Sequence, residues 1–92
     1  FSGKEQRDYS QTIITIGRNS ANMISTPDHS VSRRHCVIVN YPDDVWIYDL
    51  DSTGGTFING ERICGKMFLL GVCELKVGRY GLRVTSAAGM LV

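Results

Sequence analysis

The fold is decided by residues 45–60, which read VWIYDLDSTGGTFING. The first six form a predicted strand whose side chains alternate between two faces. We expect Val45 and Ile47 to point inward, because amphipathic aromatic rings tolerate solvent better. A polar, glycine-rich loop follows. A second predicted strand then ends at Asn59-Gly60, the strongest short hairpin signal in the chain.

Short strands of this kind recur along the whole chain. They begin roughly every 8 to 12 residues and are bounded by turn residues, whereas no window of about 11 residues keeps the 3.6-residue period of an amphipathic helix. The predicted strands are Thr12–Ile16, His35–Tyr41, Val45–Leu50, Thr56–Asn59, Arg62–Cys64, Val72–Val77 and Tyr80–Thr85, with Met23-Ile24 as a candidate short edge strand. This spacing predicts an all-β fold, either an antiparallel sandwich or a barrel.

Length and composition exclude several classes of protein. Ninety-two residues with a 42% hydrophobic share are enough for one globular domain, 1–92, and for no second core. The longest apolar run, Cys36–Val39, is too short to span a bilayer, and the polar stretch 1–10 lacks the apolar centre of a signal peptide. A net charge of +1 argues against direct nucleic-acid binding. Because the sequence does not begin with Met, we expect a domain from a larger, multidomain protein.

The cysteines indicate the compartment. Cys36, Cys64 and Cys73 are odd in number, form no CxxC pair and lie among apolar neighbours. We therefore expect buried, reduced thiols rather than a disulfide framework. This predicts a reducing intracellular location, cytoplasmic or nuclear.

Two polar loops contain the residues that could bind a ligand. The longer one runs from Asn19 to Ser32, and the other covers 51–56. Between Gly17 and His35 the chain has three arginines and a single acid, a local excess of positive charge. Guanidinium groups beside hydroxyls and backbone N–H groups are the donors that a phosphate dianion requires.

Three spaced motifs together resemble the forkhead-associated (FHA) domain. The resemblance covers about residues 12–84, and its combination of motifs is far more specific than any one of them. The motifs are Ile16-Gly17-Arg18, then Val31-Ser32-Arg33-Arg34-His35, then Asp49-Leu50-x-Ser52-Thr53-x-Gly55-Thr56-Phe57-x-Asn59-Gly60.

The resemblance implies a fold and a function. The fold is a two-sheet antiparallel β-sandwich of about eleven short strands, of FHA/SMAD-like type, with 1–11 and 86–92 as flanking or edge segments. The function is binding of phosphothreonine in partner proteins, without catalysis, cofactor or metal. The implied phosphate-binding residues are Arg18, Ser32, Arg33 and Thr53.

The resemblance also implies supporting roles and one departure. Asn19 and Gly54 would lie in the loops along the peptide backbone, while Gly17, His35 and Gly55 would support the site. The family usually has Asn where this chain has Gly54. Loss of that amide removes a hydrogen bond worth about 0.5–1.5 kcal/mol, so the substitution Gly54→Asn is expected to tighten peptide binding.

Other interpretations stay open at this point. Arg18, Arg33 and Arg34 could be solvated charges, and the hydroxyls of Ser32 and Thr53 could serve only their turns. Ser32 and His35 could form a nucleophile–base pair, although no nucleophile elbow surrounds the serine. His29, His35 and Cys36 fit no zinc spacing. The main alternative function is a degenerate FHA-type scaffold or dimerisation domain, weakened at Gly54, with Trp46 and Tyr48 as aromatic anchors.

Overall fold

The computed structural model describes residues 9–85, and all the regular structure within them is β. Nine strands follow one another within this range. They are β1 (Ile13–Gly17), β2 (Ile24–Ser25), β3 (Cys36–Asn40), β4 (Val45–Asp49), β5 (Thr56–Ile58), β6 (Glu61–Arg62), β7 (Lys66–Leu69), β8 (Val72–Val77) and β9 (Tyr80–Thr85). These described residues contain no helix that could cross a membrane.

The strands form two sheets, which confirms the predicted sandwich class. One sheet has the order β2-β1-β3-β4-β7 and the other the order β6-β5-β8-β9. All pairings are antiparallel except that of β1 with β2, which is parallel and joins Ile16 to Ile24. The predicted edge strand at Met23-Ile24 is therefore present, shifted by one residue. Strand β7 was not predicted, because a four-residue edge strand shows too little alternation to stand out.

Alternation along the strands separates the core from the surface. Val45 and Ile47 are 7% and 0% exposed, which confirms the predicted inner face of β4. Strand β8 alternates strictly between exposed and buried residues. Burial of the apolar face of each sheet against the other is the main source of stability in a sandwich of this kind. The buried apolar core consists of Ile14, Ile16, Val31, Cys36, Ile38, Val45, Ile47, Ile58, Ile63, Leu69, Cys73, Leu75 and Val77.

The Asn-Gly hairpin signal is confirmed by the backbone. Asn59 and Gly60 have φ values of 51° and 88°, both in the left-handed region. Around them β5 pairs with β6, with Ile58 opposite Glu61. Positive φ at both central residues is the requirement of a type I′ turn, which is why Asn-Gly predicts this hairpin.

The cysteine prediction is correct at two positions and wrong at one. Cys36 and Cys73 are buried, and burial raises the pKa of the Cys36 thiol to about 12. Cys64 is exposed, whereas the adjacent Ile63 is buried in the core.

Trp46 lies on the outer face of β4 and is packed by its own sheet. Its ring meets Phe68 of β7 edge-on, with centroids 5.5 Å apart. The Lys66 ammonium group lies 5.4 Å from the centroid of the Trp46 ring. The tryptophan is therefore half-buried rather than projecting as a free anchor.

Candidate functional site

The end of β1 and the loop before β3 are joined by backbone hydrogen bonds. The amide of Arg18 donates to the carbonyl of Ser32 (2.9 Å), and the amide of Asn19 donates to that of Arg33 (3.3 Å). This contact requires a glycine at position 17, since a Cβ there would overlap the Arg33 carbonyl oxygen. Gly17 thus lets two loops that are distant in sequence meet at one edge of the sandwich.

The side chain of Arg18 is anchored at only one of its donors. Its Nε donates to the carbonyl of Val31 (3.0 Å), and the residue is half-buried. Among residues 9–85, no acceptor lies within hydrogen-bond distance of its two terminal amino groups. An arginine fixed through Nε with its outer amino groups available is suited to an anionic ligand.

Ser32 and Thr53 also meet at this edge. The amide of Thr53 donates to Ser32 Oγ (3.3 Å), which joins the loop between β2 and β3 to the loop between β4 and β5. Thr53 is exposed and Ser32 is half-buried. The Ser32 oxygen acts as an acceptor in this bond, so its hydroxyl hydrogen can still be donated to a ligand.

His35 holds these two loops together from beneath. It is fully buried, and its Nδ1 accepts a hydrogen bond from the amide of Ser32 (3.0 Å). The ring proton therefore lies on Nε2, which donates to the carbonyl of Gly55 (2.8 Å). Both ring nitrogens are bonded to backbone groups. The ring therefore positions the loops of the site and does not contact the Ser32 hydroxyl.

Asp49 organises the loop that carries Thr53, a role that the sequence analysis missed. Its carboxylate accepts hydrogen bonds from the amide and the hydroxyl of Ser52 (3.1 and 2.6 Å) and from the hydroxyl of Thr56 (2.7 Å). Burial alone would raise the pKa of Asp49, but the hydrogen bonds from Ser52 and Thr56 outweigh it and lower that pKa. The available signal was an aspartate three residues before a serine at a strand end, which is typical of side-chain-to-backbone turns.

Ser52 and Gly55 complete this loop. The Ser52 hydroxyl accepts from the amide of Gly55 (3.1 Å), and Gly55 has a φ of 87°. The carbonyl of Gly55 also accepts from the amide of Gly78 (2.9 Å). A left-handed backbone at this point favours glycine, since other residues are strained there by about 1–2 kcal/mol.

Gly54 is tightly packed, which argues against the expectation that Gly54→Asn tightens peptide binding. A Cβ at position 54 would overlap the carbonyl oxygen of Ser30 and lie 3.3 Å from the Cα of Gly78. Both are backbone atoms, which cannot move aside as a flexible side chain can. The space beside Gly54 is therefore occupied by the chain itself, and an asparagine would displace the Ser30 segment before it could reach a peptide.

A polar cluster of Asp28, Ser30 and Arg79 holds that segment in place. Asp28 Oδ1 accepts from the amide (2.9 Å) and hydroxyl (2.8 Å) of Ser30, which lower the pKa of the aspartate. The backbone amide of Arg79 donates to Ser30 Oγ (2.7 Å), and the Arg79 side-chain Nη2 lies 3.5 Å from Asp28 Oδ1. The cluster was not anticipated, because Arg79 lies about fifty residues beyond Asp28 and Ser30 in the chain and no local pattern links it to them.

The remaining predicted residues, Asn19 and Arg33, are joined through the loop that follows β1. Asn19 is exposed, and its Oδ1 accepts from the amide of Ala21 (2.8 Å). Asn22 donates through Nδ2 to the carbonyls of Asn19 and Arg33 (both 2.8 Å), which fixes the backbone of both. Arg33 is exposed, and its guanidinium has no acceptor within residues 9–85.

The structure thus joins Arg18, Ser32 and Thr53 by hydrogen bonds at one edge, and Asn19, Arg33 and Gly54 directly follow these three residues in the chain. For the metal alternative, His29 is exposed and His35 is buried between two backbone groups. No group of three potential ligands gathers within the described part of the chain.

Comparison with known proteins gives relatives for both sequence and fold. The ABC transporter ATP-binding/permease protein Rv1747 of Mycobacterium tuberculosis is 40% identical over 50 residues, covering 54% of this chain and 6% of the transporter. EmbR of the same organism, solved in complex with a low-affinity phosphopeptide, matches with a TM-score of 0.76 and 29% identity over 82% of this chain and 20% of EmbR. This chain therefore spans only a small part of either protein.

A third relative matches over most of its own length. The FhaA FHA domain, solved in complex with the intracellular domain of Rv3910, has a TM-score of 0.74 and 27% identity, covering 82% of this chain and 81% of that one. The family model of the FHA domain matches residues 14–80, which include every residue of the candidate site. This chain belongs to the FHA domain family.

Proposed function

We propose that this FHA domain binds phosphothreonine segments of partner proteins, and that Arg18, Ser32 and Thr53 hold the phosphate with Arg33 beside them. One observation carries the assignment of residues. The Thr53 amide donates to Ser32 Oγ and the Arg18 amide donates to the Ser32 carbonyl, so these hydrogen bonds bring one cationic and two hydroxyl-bearing residues together at one edge. A phosphate dianion offers the acceptor oxygens that these donors require.

The relatives support this function. EmbR was solved with a phosphopeptide, and the FhaA domain was solved with the intracellular domain of another protein. Hydrogen-bond donors held in place at one edge of the sandwich fit a module for phosphorylation-dependent protein interaction. Because Rv1747 and EmbR are far longer than the region matched, we also propose that this domain acts within a larger protein.

We further infer that the domain binds without catalysing a reaction. A serine nucleophile needs a base within reach of its hydroxyl. Here the His35 Nδ1 is occupied by the Ser32 amide, and Nε2 is bonded to Gly55. The same geometry gives the histidine a bracing role. The buried thiols of Cys36 and Cys73 suit the reducing cytoplasm or nucleus, which stays a proposal.

The test compares phosphorylated peptides with their unphosphorylated twins. Isothermal titration of a degenerate phosphothreonine library should give binding that is absent from the threonine library. Equal affinity for the two libraries would exclude the proposed function. The scaffold alternative predicts that equal affinity, and neither EmbR with its phosphopeptide nor the FhaA domain with its partner supports it.

A further inference from the structure

A groove lies beside the candidate phosphate site, on the outer face of the five-stranded sheet. It encloses about 280 Å³, at the lower end of the volumes typical of ligand pockets. Its floor is formed by Thr15, Val37 and Leu50, of which Thr15 and Val37 are direct cross-strand partners on β1 and β3. Leu50 is 41% exposed. The floor is thus largely apolar and open to solvent.

The side wall of this Arg34 groove is rigid. Asn19 and Asn22 form it, and three hydrogen bonds described above fix their loop to itself and to the Arg33 carbonyl. The amide of Met23 donates to Thr15 Oγ1 (2.8 Å), which ties the same loop to the floor. A wall held in this way does not need to be ordered when a ligand enters, which lowers the entropic cost of binding.

Arg34 gives the groove its charge. Its guanidinium has no acceptor within residues 9–85, and no acidic side chain lines the groove. It is two residues from Ser32, so the two Cα atoms are at most about 7.6 Å apart. An extended peptide advances about 3.3–3.6 Å per residue, and a ligand phosphate at Ser32 would therefore bring neighbouring residues into reach of Arg34.

We propose that the Arg34 groove binds an acidic side chain of the phosphopeptide, close to the phosphothreonine in sequence. The apolar floor takes the methylene stem, and the guanidinium pairs with the carboxylate. This inference rests on the proposed function, because the phosphothreonine is what brings the peptide to this edge. It adds a determinant of specificity that is separate from the phosphate contacts. Glutamate fits best, since its longer stem can lie on Val37 and Leu50.

The test is a panel of phosphothreonine peptides in which each flanking position carries either Glu or Gln. Wild-type protein is expected to favour Glu at one position by roughly three- to tenfold. In the Arg34→Gln variant, the Glu and Gln peptides should bind equally. The matched control is Arg83→Gln, which removes the same charge from β9 and should keep the preference.

The possible failures are distinguishable. If no phosphothreonine peptide binds better than its threonine twin, the proposed function fails and this inference fails with it. If phosphate-dependent binding is present without a preference for Glu, only the Arg34 groove is excluded. A preference that survives in Arg34→Gln, or that Arg83→Gln removes equally, would also overturn it. Thermal unfolding of both variants checks that each is folded during the titration.

Discussion

Replacing Gly54 by alanine tests whether the loops at the site are packed as described. A Cβ at this position would overlap the Ser30 carbonyl oxygen and lie only 3.3 Å from the Gly78 Cα. Overpacking of a rigid site costs about 1–3 kcal/mol, and reduced entropy of the unfolded chain returns about 0.4–1 kcal/mol of it. The midpoints of these ranges give a net loss of about 1.3 kcal/mol, which lowers the Tm of a domain this size by roughly 5–10 °C.

Gly81 supplies the matched control for this prediction. A Cβ at Gly81 would meet no atom within 4 Å, and its backbone is outside the left-handed region. The substitution Gly81→Ala should therefore stabilise the domain by about 0.4–1 kcal/mol, a change of opposite sign. Differential scanning calorimetry measures both. If Gly54→Ala is as stable as Gly81→Ala, the contact between Gly54 and Ser30 is wrong.

Peptide binding extends the same test. Gly54→Asn carries the same Cβ and displaces the segment between Asp28 and Ser32, so it should weaken phosphopeptide binding several-fold instead of tightening it. Tighter binding by this variant, with an unchanged Tm, would show that position 54 is open and would refute the packing argument.

Two further substitutions test the support beneath the site. Asp49→Asn weakens three hydrogen bonds to Ser52 and Thr56 and should cost about 1–2 kcal/mol in urea unfolding. Because the folded-state pKa of Asp49 is lowered, its stabilisation is complete above the ordinary value of 3.8 and is lost as the pH falls through the folded value. The variant should accordingly lose less stability than wild type on acidification, and parallel curves would contradict this. His35→Ala leaves the Ser32 amide and the Gly55 carbonyl without their partner and should cost about 3 kcal/mol or more; a loss below about 1 kcal/mol would deny the bracing role.

The fold could be predicted from the sequence because its signals are local. Alternation identified the inner face of β4, and Asn59-Gly60 identified a hairpin whose φ values only glycine and asparagine adopt readily. Strand β7 escaped prediction because it is short and lies at a sheet edge. Cys64 was expected to be buried from its apolar neighbours, but it is the adjacent Ile63 that is buried, and Cys64 itself is exposed.

Only the site residues that belong to one of the three FHA motifs could be predicted from the sequence. Arg18, Ser32 and Thr53 follow from spaced motifs, and the structure brings them to one edge. The packing of Ser30 between two glycines depends on contacts between distant segments, which neither propensity nor spacing encodes. For that reason the sequence alone predicts tighter peptide binding for Gly54→Asn, whereas the contacts of Gly54 predict weaker binding.

The central claim is tested most directly by a ¹⁵N–¹H NMR titration with a phosphothreonine peptide and its unphosphorylated twin. The account predicts that the amides of Arg18, Ser32 and Thr53 shift most, that the unphosphorylated peptide shifts none of them, and that Arg18→Ala abolishes the effect while Arg83→Ala preserves it. Equal shifts with both peptides, or shifts confined to the Trp46 face, would contradict it.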